Sequence, residues 1–137
     1  MLEEYNKSNH RVYSMKAHIV LVCKYRYSIL TPQFEEAIKR YITDLGVKKD
    51  FKVIEMKGDL NHIHILVDYS IFYSGEEMIK AIKGFSTIQA FKEWGEYLEG
   101  IYREKRVLWS GGAFICSTGQ GSEEIVAKYI REQGLKK

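Results

Sequence analysis

The stretch Asn61-His62-Ile63-His64-Ile65-Leu66-Val67 combines an apolar run typical of a β-strand with two histidines separated by one residue. On a strand, side chains two residues apart point to the same face. We therefore expect His62 and His64 to lie side by side, with the isoleucines pointing the other way, into a core. At a rise of about 3.3 Å per residue, the two histidine Cα atoms would be about 6.6 Å apart. Both imidazoles could then bind one metal ion.

Length and composition predict a single domain, residues 1–137, because 45% hydrophobic residues suffice for one normal core. The N-terminus is charged and no apolar run approaches membrane-spanning length, so we expect a soluble, cytoplasmic protein without a membrane partner. A net charge of +3 permits a nucleic-acid partner without requiring one. The many aromatic residues could stack on unpaired bases, although most should fill the core.

The two cysteines, Cys23 and Cys116, each lie in an apolar run and are not spaced as a Cys-x-x-Cys pair. Buried, reduced thiols are therefore expected rather than a metal site or redox motif.

Hydrophobic periodicity and turn residues divide the chain into alternating strands and helices. Strands are predicted at about 16–24, 51–57, 61–67 and 113–117, with Gly58-Asp59 as a hairpin turn between the second and third. Helices are predicted to begin at Thr31-Pro32, at Ser74 and at Ser122. This order predicts an α+β, ferredoxin-like (RRM-like) antiparallel sheet with two helices on one face and an additional C-terminal helix. The opposite face would be available to the histidines and a ligand.

Within the second long helix, core positions are expected at Ile79, Ile82 and Phe85, followed by either Ile88 or Phe91. Residues 94–106 are mixed in character and receive no firm assignment.

The C-terminal helix carries Tyr129 and Gln133, which are four residues apart and so lie on one helix face. If that face docks beside the histidine strand, the Gln133 side-chain oxygen becomes a third metal ligand and Tyr129 lies next to the metal. A phenol is only about one part in a thousand ionised at pH 7, so its attack on phosphorus needs a cation that stabilises negative charge. The resulting phosphotyrosine would keep the energy of the broken bond, which lets a second strand end reverse the step.

Each of these patterns also has an ordinary explanation. A His-x-His on a strand is often incidental, and Tyr-x-x-x-Gln is common on helices. Asn61 could tune the metal site through a ligand or could only cap the hairpin. Lys24 and Arg26 could hold phosphates or could simply be solvated.

Taken together, the motifs resemble the HUH single-tyrosine transposases of the insertion-sequence 200/605 type over about residues 16–134. Four stretches carry the resemblance: His18-Ile-Val-Leu-Val-Cys-Lys-Tyr-Arg26, Asn61-His-Ile-His-Ile-Leu-Val67, Lys83-Gly-Phe-Ser86 and Ser122-Glu-Glu-Ile-Val-Ala-Lys-Tyr-Ile-Arg-Glu-Gln133. The last is the most specific, since tyrosine and glutamine stand in register at the expected end of the chain. Asn61 departs from the family, which often has aspartate before the first histidine.

The resemblance implies an enzyme that cuts and rejoins single-stranded DNA at mobile-element ends, through a 5′-phosphotyrosine on Tyr129. It also implies that His62, His64 and Gln133 hold Mg²⁺ or Mn²⁺, an identity that imidazole ligands alone would not indicate. Family members act as homodimers and recognise imperfect DNA hairpins. Four further residues in the matching motifs become candidate DNA contacts: Lys24, Arg26, Lys83 and Ser86.

Two other functions fit the same residues. One is a metal-dependent phosphoesterase that uses activated water, with Tyr129 as an ordinary core residue. The other is a ferredoxin-like module that binds single-stranded nucleic acid without catalysis.

Overall fold

The computed structural model describes residues 15–70 and 74–117. In chain order the elements are β1 (Met15–Val22), a 3₁₀ turn (Lys24–Arg26), α1 (Pro32–Lys49), β2 (Phe51–Gly58), β3 (His62–Tyr69), α2 (Gly75–Tyr102) and β4 (Phe114–Ser117). The strands form an antiparallel sheet in the order β2-β3-β1-β4. The predicted α+β, ferredoxin-like fold is thus confirmed. The predicted C-terminal helix lies outside the described residues.

Helix α1 begins where Thr31-Pro32 predicts, with Thr31 at the N-cap position and Pro32 in the first turn. It ends at Asp50, whose left-handed backbone (φ 57°, ψ 45°) allows its N–H to donate to the Gly46 carbonyl. A Cβ atom on Gly46 would lie 2.6 Å from the Phe51 carbonyl oxygen. The glycine therefore lets β2 start directly against the last turn of the helix.

The β2–β3 hairpin confirms the predicted antiparallel pairing, but its glycine has a different role from the one expected. Gly58 remains in β2, paired with Ile63, and the left-handed turn residue is Leu60 (φ 58°). The Gly58 N–H donates to the Glu35 carboxylate at 3.1 Å, and a Cβ atom there would lie 2.6 Å from the same carboxylate. Gly58 thus allows the close approach of α1 rather than the turn.

Helix α2 is longer than the sequence predicts. It begins at Ser74, whose hydroxyl accepts the Glu77 N–H at 3.0 Å, and runs to Tyr102 with a break in helical geometry at Trp94 (φ −123°). Most of the segment 94–106, for which the sequence allowed no firm assignment, is thus helical. Beyond the break, Leu98 and Tyr102 of this helix are buried in the main core. Phe91 is buried whereas Ile88 is 54% exposed, which decides between the two predicted core positions.

The two faces of the sheet carry separate apolar clusters. Inward residues of β1 and β3, including Ile19, Ile63 and Ile65, are fully buried in the main core together with residues of both helices. On the other face, Val20 and Val22 are also fully buried and form a small cluster against which Phe114 packs. The sequence predicted that the whole histidine face would be available to a ligand. In the structure, part of that face is a buried apolar strip formed by Val20 and Val22.

The thiol prediction is confirmed for Cys23, which is buried and whose pKa is raised by that burial. Cys116 is only partly buried. Within residues 15–70 and 74–117, no helix is long and apolar enough to cross a membrane.

Candidate active site

His62 and His64 lie on the face of β3 that points away from the main core, as strand alternation predicts. Their ring centroids are 5.0 Å apart and the ring planes meet at 73°. In the sheet, His62 pairs with Val22 and His64 with Val20, so both histidines lie beside the apolar strip on β1. The structure thus brings the two predicted ligands together in the middle of the sheet.

Asn61 contacts the first of these histidines directly. Its Oδ1 atom lies 2.7 Å from His62 Nδ1. An amide oxygen can only accept a hydrogen bond, so Nδ1 of His62 carries the proton and Nε2 keeps its lone pair. This is the arrangement by which outer residues usually orient metal-binding histidines. The contact agrees with the predicted tuning role of Asn61, while its backbone still belongs to the turn.

The surroundings of both imidazoles favour the neutral form over the protonated form. Burial lowers the pKa of His62, and burial also lowers the pKa of His64. For His64, the neighbouring His62 and His18 lower the pKa further, while Asp59 acts in the opposite direction. Since metal ions bind neutral imidazole, both side chains suit a cation site.

The two histidines need a further ligand. Within the described ranges, no group of three or more His, Cys, Asp or Glu side chains is placed to hold a metal ion. Gln133 and Tyr129 lie outside those ranges, so their predicted roles as third ligand and nucleophile remain predictions.

A third histidine, which was not among the predicted site residues, lies beside this pair. His18 Nε2 lies 3.2 Å from His64 Nδ1, and the two ring centroids are 5.2 Å apart. His18 is on β1, 46 positions before His64, and strand pairing brings them together. Its alternation with Ala17 and Ile19 was visible in the sequence, but the β1–β3 register that sets its neighbour was not.

Lys24 and Arg26 lie in the 3₁₀ turn that follows β1. This turn is adjacent to the histidine site, because the Cys23 N–H donates to the Asn61 carbonyl at 2.9 Å. Arg26 has a left-handed backbone (φ 55°), as does Tyr25 between the two basic residues (φ 61°). Both basic side chains are partly exposed, and their predicted contact with DNA remains a prediction.

Lys83 and Ser86 instead connect α2 to the segment before β4. Lys83 Nζ donates to the carbonyls of Ser110 (2.8 Å) and Gly112 (3.2 Å), and burial, followed by the charge of Lys24, lowers its pKa. Ser86 is fully buried, and its hydroxyl accepts the Trp109 indole N–H at 2.9 Å. In this conformation the Ser86 side chain has no exposed surface, and the predicted contacts of Lys83 and Ser86 with DNA remain predictions. These hydrogen bonds give the Lys-Gly-x-Ser motif a structural role.

Two cavities lie on different parts of the molecule. One of about 860 Å³ lies between α2 and the segment 106–115, away from the histidines. A smaller one of about 270 Å³ is lined by His18, Glu55, Lys57, His64 and Leu66. The first cavity is larger, but the second is lined by His18 and His64. We therefore treat the second cavity as part of the candidate site.

Comparison with known proteins places this arrangement in a family. The family model described as IS200-like transposase matches residues 11–133. The ISDra2 transposase TnpA of Deinococcus radiodurans is 24% identical over 130 residues, which cover 95% of this chain and 91% of that protein. The transposase for insertion sequence element IS200 of Salmonella typhimurium is 26% identical over 124 residues, covering 90% and 80% respectively.

Solved structures support the fold. A crystal structure of a candidate transposase from Deinococcus radiodurans superimposes with a TM-score of 0.82 at 19% identity, covering 93% of this chain and 97% of that one. A REP-associated tyrosine transposase bound to a REP hairpin has a TM-score of 0.54 at 11% identity, covering 90% and 68%. Because the family model matches residues 11–133, most of the chain, this protein belongs to the family of IS200-like transposases.

Proposed function

We propose that this transposase cleaves and rejoins single-stranded DNA at the ends of a mobile element, with a divalent cation and a covalent link to Tyr129. The observation that carries the proposal is the pair of partly buried imidazoles of His62 and His64 on one sheet face, with the proton of His62 fixed by Asn61. A fixed ring orientation and a free Nε2 lone pair are what a metal ligand requires.

His62, His64 and Gln133 would hold Mg²⁺ or Mn²⁺. When bound, such an ion would draw electron density from a phosphate oxygen and offset the negative charge that develops during phosphoryl transfer. The protein's contribution is to keep both imidazoles neutral and ordered by burial and by the Asn61 hydrogen bond.

Tyr129 would act as the nucleophile. Its phenolic oxygen forms a bond to the scissile phosphorus while the bond to the 3′-oxygen breaks. The phenol loses its proton and the departing 3′-oxygen gains one. The products are a 5′-phosphotyrosine and a free 3′-hydroxyl. Attack by a different 3′-hydroxyl reverses these changes and joins new ends, so strand transfer needs no external energy source.

The proposed substrate is single-stranded DNA that carries hairpin ends. The relative bound to a REP hairpin has the same fold, and Lys24 and Arg26 offer positive charge next to the histidine strand. Phosphate contacts of this kind position a nucleic acid without reading its sequence.

The test is to incubate the protein with Mg²⁺ and labelled single-stranded element ends, and to look for a protein–DNA complex that survives denaturation. We expect the wild type to form it and Tyr129→Phe to lose both the complex and cleavage. Tyr41→Phe is the matched control, because it removes the same hydroxyl from a tyrosine on α1 that packs in the main core and bonds to Glu93. It should behave like the wild type.

Each rival function predicts a different result. A phosphoesterase that uses water would continue to cut DNA after Tyr129→Phe and would form no covalent complex. A binding module would bind DNA in the presence of a chelator and would cut no strand under any condition.

The proposed active form is a homodimer, and a mixing experiment can locate the tyrosine within it. His64→Ala and Tyr129→Phe should each be inactive alone. If Tyr129 completes the site of the partner subunit, a mixture of the two variants should recover covalent complex formation. If it acts within its own subunit, the mixture should stay inactive, and co-purification of the two variants through an affinity tag on only one of them would show whether mixed dimers had formed.

A further inference from the structure

His18 makes a contact that none of the roles proposed above uses. Its Nε2 atom is 3.2 Å from Nδ1 of His64, within hydrogen-bond distance, and the ring planes are tilted by 33°. A contact between two ring nitrogens requires one of them to carry a proton and the other to be unprotonated. The direction of this hydrogen bond decides which nitrogen of His64 remains free.

We propose that His18 is a positioning residue whose Nε2 accepts a hydrogen bond from the Nδ1–H of His64. In a neutral imidazole only one nitrogen carries hydrogen. If His64 donates from Nδ1, its Nε2 atom keeps the lone pair needed by a cation. If His18 donated instead, Nε2 of His64 would carry the proton and could not bind metal. The inference rests on the metal-binding part of the proposed function.

The two histidines would then be held in the same way. His62 donates from Nδ1 to the Asn61 side-chain oxygen at 2.7 Å, and His64 donates from Nδ1 to His18. In each case a hydrogen-bond acceptor would fix the ring and leave Nε2 unprotonated. Such outer partners typically change metal affinity by about 10- to 100-fold when they are removed.

The residues around His18 are compatible with its acting as a hydrogen-bond acceptor. It lines the cavity of about 270 Å³ together with His64 and with Glu55 and Lys57 from β2. These two neighbours carry one charge of each sign, so the cavity has no excess of either charge. The side chain of His18 is partly buried, which limits competition from water for the hydrogen bond.

A matched pair of variants tests the proposal. His18→Gln places an amide oxygen near the position of the lost Nε2 atom and keeps an acceptor, whereas the shorter side chain in His18→Asn does not reach it. We expect His18→Asn to weaken Mn²⁺ binding about 10- to 100-fold, and His18→Gln to bind Mn²⁺ nearly as the wild type does. The probe is Mn²⁺ alone, titrated against the full chain and followed by electron paramagnetic resonance.

A second measurement needs no metal. Nitrogen chemical shifts of the histidine rings in the metal-free protein report which ring nitrogen is protonated. His64 should be protonated at Nδ1 in the wild type and in His18→Gln, and should lose this preference in His18→Asn. Thermal unfolding of each variant checks that the fold is intact. Cys116→Ser, at a position that pairs with His18 across β1 and β4, is the control and should change neither readout.

The outcomes separate the two proposals. Wild-type Mn²⁺ affinity in His18→Asn, or a His64 ring protonated at Nε2 in the wild type, would overturn the role of His18 alone. If His62→Ala and His64→Ala also bind Mn²⁺ as the wild type does, the metal site itself is wrong.

Discussion

The two sides of β3 present the same strand to two different environments. On one side Ile63, Ile65 and Val67 are fully buried in the main core. On the other, His62 and His64 are only partly buried and contact polar partners on the neighbouring turn and strand. Alternate residues of one segment therefore serve packing and chemistry. Substitutions on the two sides should damage different properties of the protein.

The largest expected effect is on the outer side. His64→Ala removes a proposed metal ligand, and the electrostatic stabilisation that a cation supplies is worth several kcal/mol. We expect cleavage of labelled single-stranded ends to fall about 100-fold or more, since about 1.4 kcal/mol corresponds to a factor of ten. The free energy of unfolding, from urea denaturation, should change little. Lys52→Ala, an exposed change on β2, is the control. Full activity of His64→Ala would contradict the assignment.

The next effect is on the inner side of the strand. Ile65 has no exposed surface, so Ile65→Ala leaves a cavity and should lower the free energy of unfolding by about 2–5 kcal/mol. Ile65→Val, which removes one methyl group, should cost about 0.5–1.5 kcal/mol. At a temperature where the alanine variant is still folded, its Mn²⁺ affinity should match the wild type. A loss of metal binding without a loss of stability would mean that the two sides are not separable.

The smallest effect concerns Ser86, a predicted DNA contact whose buried hydroxyl accepts the Trp109 indole N–H. Ser86→Ala leaves the Trp109 indole N–H without its partner, which should cost about 1–3 kcal/mol of stability. Affinity for single-stranded DNA, measured by fluorescence anisotropy, should not change in the folded protein. Thr87→Ala removes a neighbouring hydroxyl that bonds only to its own helix and should cost less. Weaker DNA binding by Ser86→Ala at unchanged stability would instead support the predicted contact of Ser86 with DNA.

The sequence predicted those parts of the fold that depend on local pattern. Alternation in β3 placed His62 and His64 on one face, and Thr31-Pro32 and Ser74 marked the starts of both described helices. It did not predict that α2 continues past Trp94, because packing rather than local propensity supports that part of the helix.

The features of the site that the sequence did not predict come from contacts between residues distant in the sequence. The partner of His18 depends on the β1–β3 register, and the burial of Ser86 depends on Trp109 from a separate segment. Neither relation leaves a periodic signal in the sequence. The prediction that Gly58 forms the hairpin turn was wrong for a similar reason. A side chain at this position would collide with the Glu35 carboxylate on α1, and this contact is distant in the sequence.

The double use of Asn61 has a mechanical consequence. Its side chain orients His62, while its backbone carbonyl is tied to the Cys23 N–H, the residue just before the basic turn. Lys24 follows Cys23 directly, so one peptide bond and one hydrogen bond connect the basic turn to the residue that orients His62. A substitution that changes the backbone of this turn should therefore also move the imidazole of His62.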